Sequence, residues 1–128
     1  MTINLTLIGR PITKKNHTQR TRSGKQIQSE AFLRYEQDCL WQIPAIVRLG
    51  VNKKCNVKCV YYMTINYYKE GSKAKIDLVG LLQGTLDILA KANVIEDDNC
   101  RIAATYDGSK VLYDKANPRV EIEIEAIE

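Results

Sequence analysis

The sequence predicts an α/β protein of the mixed α+β type, in which a small mixed sheet is flanked by helices. Three patterns lead to this prediction. Apolar and polar residues alternate from 55 to 67, as they do in a half-buried strand. Two other stretches, 30–43 and the residues after Asp77, place apolar residues three or four apart, on one side of a helix. Short alternating runs near both ends of the chain add further strands.

The first strand is predicted from apolar residues at every second position: Ile3, Leu5 and Leu7. It ends before Gly9 and Pro11, both of which interrupt strands. After a polar and basic segment, the first helix is predicted over 30–43 from one stripe: Phe32, Tyr35, Cys39 and Leu40. Pro44 ends this helix because a proline cannot continue the hydrogen-bond pattern.

The long central strand is predicted over 55–67, with these residues on one face: Cys55, Val57, Cys59, Tyr61, Met63, Ile65 and Tyr67. The second helix follows, with its apolar stripe formed by Leu78, Leu81, Leu82, Leu86 and Leu89. Gln83, Asp87 and Lys91 should face outward. Gly80 and Gly84 inside the helix suit close packing against a neighbour at least as well as a functional role.

The C-terminal third predicts two more strands, one over 101–106 and one near the end of the chain. A turn at Asp107-Gly108 and a variable loop containing Pro118 separate them. The last strand alternates Val120, Ile122 and Ile124 with Glu121, Glu123 and Glu125. We interpret the glutamates as a solvated sheet face that discourages edge pairing, rather than as catalytic groups.

Length and composition predict a single domain spanning residues 1–128, with no segment long and apolar enough to cross a membrane and no secretory signal. The four cysteines lack metal-ligand spacing. Cys55 and Cys59 would lie about 13 Å apart along a strand, too far for a disulfide. Buried, reduced thiols indicate a cytoplasmic protein.

The net charge of +4 is unevenly distributed. Six cations precede the first acidic residue, Glu30, and they are Arg10, Lys14, Lys15, Arg20, Arg22 and Lys25. Such a segment can bind a polyanion by releasing counterions from phosphates, although basic polar loops are often simply solvated. Four tyrosines also allow two interpretations, since they could stack on bases or pack in and on the sheet: Tyr61, Tyr62, Tyr67 and Tyr68.

Carboxylates occur at both ends of the second helix. Asp77 stands where the helix begins, so it is either an N-cap or a metal ligand at the helix mouth. Glu96, Asp97 and Asp98 follow the helix, and they form either a solvated acidic turn or oxygen ligands for a divalent cation. Adjacent carboxylates repel one another, and binding Mg²⁺ or Mn²⁺ would offset this repulsion better than solvation does.

The order of these features resembles the RusA-type Holliday junction resolvases. The resemblance covers nearly the whole chain. It includes Gly9-x-Pro11, Lys14-Lys15, the helix opened by Asp77-Leu78, the pair Asp97-Asp98 and the closing stretch 117–122. Members of that family are homodimeric, Mg²⁺-dependent endodeoxyribonucleases of bacteria and their prophages that cut four-way DNA junctions symmetrically.

The resemblance implies roles for particular residues. Asp77 and Asp98 take the places of catalytic, metal-binding aspartates, with Asp97 beside them, and Mg²⁺ is the implied cofactor with Mn²⁺ as a substitute. Lys14, Lys15, Arg20, Arg22 and Lys25 would contact the phosphates of branched DNA. A symmetric substrate implies a homodimer with two sites related by a twofold axis.

The helix after Asp77 departs from the family pattern D-x-D-N-x-x-K. Val79 replaces an acidic ligand, Gly80 the asparagine, and Gln83 the lysine that would stabilise negative charge in the transition state. We therefore weigh a divergent, weakened junction nuclease against a silent relative that binds branched DNA without cutting it. A third hypothesis is a small scaffold whose acidic turn and basic loop contact a protein.

Overall fold

The structure is a computed structural model, and it describes residues 2–13, 18–20, 26–28, 30–48, 54–96, 103–105 and 108–127. In chain order these residues form β1 (Thr2–Ile8), β2 (Thr18–Arg20), β3 (Gln26–Gln28), α1 (Glu30–Gln42), a short 3-10 helix (Ala45–Val47), β4 (Cys55–Met63), α2 (Leu78–Lys91), β5 (Ala103–Thr105), β6 (Lys110–Tyr113) and β7 (Arg119–Ala126). No helix in these ranges is long and apolar enough to span a membrane.

The main sheet is mixed and is built around β4 and β7. Strand β7 lies between β1 and β4 and runs antiparallel to both. Strands β5 and β6 follow one another along the other edge of β4, both parallel to it. The small antiparallel pair of β2 and β3 forms a second sheet. The predicted mixed α+β class is therefore confirmed.

Alternate residues of the two central strands, β4 and β7, enter one apolar core. Strand β4 contributes Cys55, Val57, Cys59, Tyr61 and Met63, and β7 contributes Val120, Ile122 and Ile124. Phe32, Tyr35 and Cys39 of α1 belong to the same cluster, and so do four leucines of α2: Leu81, Leu82, Leu86 and Leu89. The buried Tyr61 hydroxyl joins α2 to the sheet through the Thr85 hydroxyl at 2.6 Å. The opposite face of β1, β7 and β4 carries polar residues that remain at least partly exposed.

The structure corrects three predictions about strands. Strand β4 ends at Met63 rather than near 67, and Ile65 is exposed. Part of the region predicted as a loop around Pro118 is strand β6, because its backbone pairs with β4. The glutamate-bearing strand β7 is central in the sheet, so its charges do not protect an edge.

The glutamates of β7 are partly paired instead of only solvated. Glu121 accepts a hydrogen bond from Arg119 Nε at 3.0 Å, and Glu123 lies 3.5 Å from Lys58 Nζ. Arg119 also stacks over the Tyr62 ring, with its guanidinium carbon 3.8 Å from the ring centroid. Opposite charges on neighbouring residues therefore hold this face together.

Two predicted helical features are confirmed. Helix α1 stops at Gln42, just before Pro44. Arg48, which follows the helix, donates hydrogen bonds from its side chain to the carbonyl oxygens of Leu40 and Ile43. In α2, Gly80 and Gly84 are both buried, as close packing requires.

The four cysteines were predicted to be buried; Cys39, Cys55 and Cys59 are buried, and Cys100 lies outside the described residues. We expect the three buried thiols to resist modification. Burial raises the pKa of Cys39 from 9.0 to about 11 and the pKa of Cys59 to about 12. At pH 8 both stay protonated and unreactive in the folded chain. Their contribution to stability is present below pH 9 and is lost as the pH rises through these raised values. Peptide mapping after iodoacetamide treatment, with and without urea, checks this. Native labelling of Cys59 as fast as in urea would contradict it.

Candidate functional site

Asp77 occupies the N-cap position of α2 without capping it through its side chain. Its backbone is extended, with φ −90° and ψ 103°, and its carbonyl oxygen accepts the first helical hydrogen bond, from Leu81 N at 3.0 Å. The side chain makes no capping hydrogen bond to the helix. The capping interpretation is therefore wrong, and a partly exposed carboxylate lies at the positive end of the helix dipole.

Two of the three residues that the resemblance identifies as departures, Val79 and Gln83, lie on the outer side of α2, whereas Gly80 is buried. Val79 is 65% exposed and Gln83 is exposed one turn further on, whereas Leu81 and Leu82 between them are buried. Gln83 Nε2 donates to Asp87 Oδ1 at 3.5 Å. Packing in α2 therefore does not require an apolar side chain at position 79.

The far end of α2 is fixed by a Schellman motif. Asn93 has φ 60°, its N–H donates to Ala90 O at 3.1 Å, and the Val94 N–H donates to Leu89 O at 2.9 Å. Val94 and Ile95 then return to the core, where both are fully buried. Glu96 is exposed immediately afterwards. The acidic segment therefore starts directly after a hydrogen-bonded helix end and two buried residues.

Most of the other predicted site residues lie outside the described residues. This applies to Asp97, Asp98, Lys14, Lys15, Arg22 and Lys25. The backbone of Arg20 belongs to β2, paired with Gln26 of β3. The basic segment thus contains a two-stranded ribbon that the sequence did not predict. The part of the chain that is described has no cluster of three or more potential metal ligands, and it supplies one ligand of the predicted pair, Asp77.

A groove of about 580 Å³ lies directly beside the start of α2. Its lining combines cationic, aromatic and hydroxyl groups, including Tyr67, Tyr68, Lys75, Leu78, Ser109 and Lys110, and none of the described residues that line it is a carboxylate. Tyr68 is 73% exposed, so its ring is accessible. Lysines attract phosphates, and an exposed ring is a surface on which a base can stack. The groove chemistry therefore suits a nucleotide.

The turn before β6 positions Ser109 and Lys110, which line one side of this groove. Gly108 has φ +89°, and a Cβ there would meet Lys58 Cδ at 2.7 Å, so only glycine fits without a shift. The next residue, Ser109, accepts a hydrogen bond from Cys59 N at 3.0 Å. Sequence reasoning missed Ser109 and Lys110 because their segment was predicted to be a turn and a loop, and no sequence pattern connects them with Lys75.

The comparisons with known proteins agree with this arrangement. The family model for endodeoxyribonuclease RusA matches residues 9–125, which include β4, α2, the groove and all of β7 except Ala126. No curated protein matches the chain. The match extends over most of the chain, so the resemblance seen in the sequence is confirmed: the protein belongs to the RusA endodeoxyribonuclease family.

Proposed function

We propose that this protein is a structure-selective, divalent-metal-dependent endodeoxyribonuclease that resolves four-way DNA junctions during recombination and repair in the cytoplasm. The family match over residues 9–125 carries the proposal. The geometry at the start of α2 supports it, because a carboxylate that does not cap its helix lies beside a cationic groove.

The proposed metal ligands are Asp77 and Asp98, with Asp97 and Glu96 as auxiliaries. Asp77 and Leu89 are about 18 Å apart along α2 at helical rise. Val94 is hydrogen-bonded to Leu89, and the four residues from there to Asp98 span at most about 13 Å. The two carboxylates meet only if 94–98 runs back along α2, with side chains covering the remaining distance.

The chemistry follows from this ligand set. Mg²⁺ or Mn²⁺, when bound, polarises the scissile phosphoryl oxygen and lowers the pKa of the attacking water. Asp77 would hold that cation at the helix mouth, where the positive dipole favours the ionised carboxylate. Gln83 can donate a neutral hydrogen bond but lacks a charge, so we propose reduced activity compared with a site that has lysine there.

The proposed DNA contacts are of two kinds. Lys75 and Lys110 would hold phosphates in the groove, and Tyr68 would stack on a base unpaired at the branch point. Lys14, Lys15, Arg20, Arg22 and Lys25 would contact the phosphates of the arms. Cutting both strands symmetrically requires two such sites, so we propose a C2 homodimer.

One observation favours a second function. The exposed Val79 and the uncharged Gln83 remove two charged groups from the active site without any benefit to packing. A silent protein that binds junctions without cutting them would have the same surface.

A metal titration on a synthetic four-way junction tests the proposal. We expect paired nicks at symmetric positions near the crossover in millimolar Mg²⁺ or Mn²⁺, none in EDTA, and little cutting of linear duplex. Tight junction binding with intact strands in both metals would support the silent binder. Equal affinity for junction and duplex at low salt, without cutting, would contradict both functions.

The groove lysines give a separate prediction about binding. Replacing Lys75 and Lys110 by glutamine should weaken junction binding and reduce the slope of log affinity against log salt by about 1 to 2, since each phosphate contact contributes about 0.9. The double variant Lys54→Gln with Lys115→Gln is the matched control, because both lysines are also exposed but lie outside the groove. Fluorescence anisotropy at several salt concentrations measures both slopes, and equal slopes for the two variants would refute the groove contact.

A further inference from the structure

A chain of three hydrogen bonds joins the central strand β4 to the first turn of α2. The Thr85 hydroxyl donates to Leu81 O at 3.0 Å. Because a hydroxyl has one hydrogen, the Tyr61 hydroxyl is the donor of the 2.6 Å bond to Thr85 Oγ1. The N–H of Leu81 then donates to the carbonyl oxygen of Asp77 at 3.0 Å. A continuous path therefore leads from the sheet to a residue proposed above as a metal ligand.

Tyr61 is a fixed starting point for this path. Its backbone lies between two other strands, in register with Val120 of antiparallel β7 and with Val111 of parallel β6. Its side chain is fully buried, and Thr85 is 2% exposed. Burial raises the pKa of the Tyr61 hydroxyl well above its usual value, so the group stays protonated and remains a donor near neutral pH. The bond between the two hydroxyls is therefore shielded from water and independent of ionisation in this range.

The N-terminal half of α2 has a low intrinsic helix propensity. It contains two glycines, Gly80 and Gly84, whereas the second half of the helix, 85–91, contains none. Glycine is the least favourable helix residue after proline, because it loses the most backbone freedom. The β-branched Val79 in the first turn is 65% exposed, so its burial does not compensate. The turn that begins at Asp77 therefore depends on tertiary contacts for its order.

We propose that Tyr61 and Thr85 are positioning residues for metal binding, because their hydrogen bond holds the first turn of α2, and Asp77 with it, in place on the sheet. Leu81 is the link, since Thr85 binds its carbonyl oxygen and its N–H closes the turn at Asp77. Both hydroxyls are buried, so neither would touch metal or DNA. The inference rests on the ligand role proposed above for Asp77 and adds the residues that keep this ligand in place.

The double variant Tyr61→Phe with Thr85→Val removes this hydrogen bond without leaving either hydroxyl unpaired. Both replacements keep nearly the same shape, so the urea midpoint should stay close to that of the native chain. Thr85→Ser is the control, because serine keeps the hydroxyl and can make both bonds. Tyr61→Phe alone removes only the donor, and it takes the place of the double variant if that variant does not fold.

Amide hydrogen exchange tests the positioning without DNA, metal or cutting. In the double variant the Leu81 N–H should exchange about 3- to 10-fold faster than in the native chain, the factor equivalent to one net hydrogen bond. The Ala92 N–H, which donates to Ile88 O at 2.9 Å at the other end of the helix, should be unchanged. Thr85→Ser should match the native chain at both amides. Equal acceleration of the two amides, or none, would overturn the proposal.

The Mg²⁺ dependence of junction cutting tests the role in metal binding. In the double variant the half-saturating Mg²⁺ concentration should rise by about 3- to 10-fold, while the rate at saturating Mg²⁺ is kept, because bound metal would itself hold Asp77. A loss of folded protein would lower the rate at every Mg²⁺ concentration instead. An unchanged half-saturating concentration, in a native chain that cuts, would contradict the positioning role. If the native chain cuts nothing, the proposed nuclease function fails, and the exchange of Leu81 still decides whether the two hydroxyls hold the turn.

Discussion

Replacing Asp77 by asparagine is expected to slow junction cutting by at least about 10²-fold, with junction binding retained. The amide has the same shape as the carboxylate but lacks the negative charge that a divalent cation requires. Asparagine is as favourable as aspartate at an N-cap position, so the change should cost at most the dipole contribution of the charge, about 0.3–1 kcal/mol. Single-turnover nicking, urea unfolding and anisotropy measure the three quantities.

Asp38→Asn is the matched control for this prediction. Asp38 is an exposed aspartate on α1, outside the groove, so the same change in net charge should leave the nicking rate unchanged. Two results would count against a ligand role for Asp77: an unchanged rate in Asp77→Asn, or a loss of activity fully explained by unfolding.

The double substitution Val79→Asp with Gln83→Lys is expected to increase nicking by about 10² to 10³-fold. A transition-state donor is typically worth that much, and the added carboxylate would strengthen metal binding. Both side chains are exposed on α2, so packing should not oppose the change. An acidic residue in the first turn also stabilises a helix by about 0.3–1 kcal/mol through the dipole.

Val79→Asn with Gln83→Met is the control, because it changes the same positions without adding charge. The rate should be measured against Mg²⁺ concentration for both variants and the native chain. If the charged variant folds and binds the junction but cuts no faster than the control, the two departures do not limit activity. If the protein binds junctions without cutting them, its lack of activity would then have to come from a feature other than Val79 and Gln83.

Sequence periodicity was sufficient to predict a helix or strand where one face of that element is buried along its whole length. The alternation in β1, β4 and β7 and the stripe of α2 predicted those elements because burial repeats with the backbone period. It failed for β6, where Val111 alone is buried and pairing with β4 defines the strand. It also extended β4 too far: Ile65 continues the alternation, but Asn66 accepts a hydrogen bond from Tyr68 N at 3.1 Å and turns the chain.

The candidate site was predictable only in part. Asp77 was found from its place before a helix, but the sequence could not show that its side chain does not cap that helix, since this depends on a side-chain rotation. The groove combines three separate segments, near Tyr68, Lys75 and Lys110. The parallel pairing of β6 with β4 brings Lys110 to the segments near Tyr68 and Lys75. No local sequence pattern predicts this long-range pairing.

The place of β7 between β1 and β4 has a consequence for biosynthesis. Residues 2 and 125 are register partners, so the central sheet cannot close until the chain has been made through Ala126. Until then the apolar faces of β1 and β4 have no strand between them. Folding should therefore be completed only after β7 leaves the ribosome, on the slow timescale of long-range pairings, and the nascent chain should depend on chaperones to avoid aggregation.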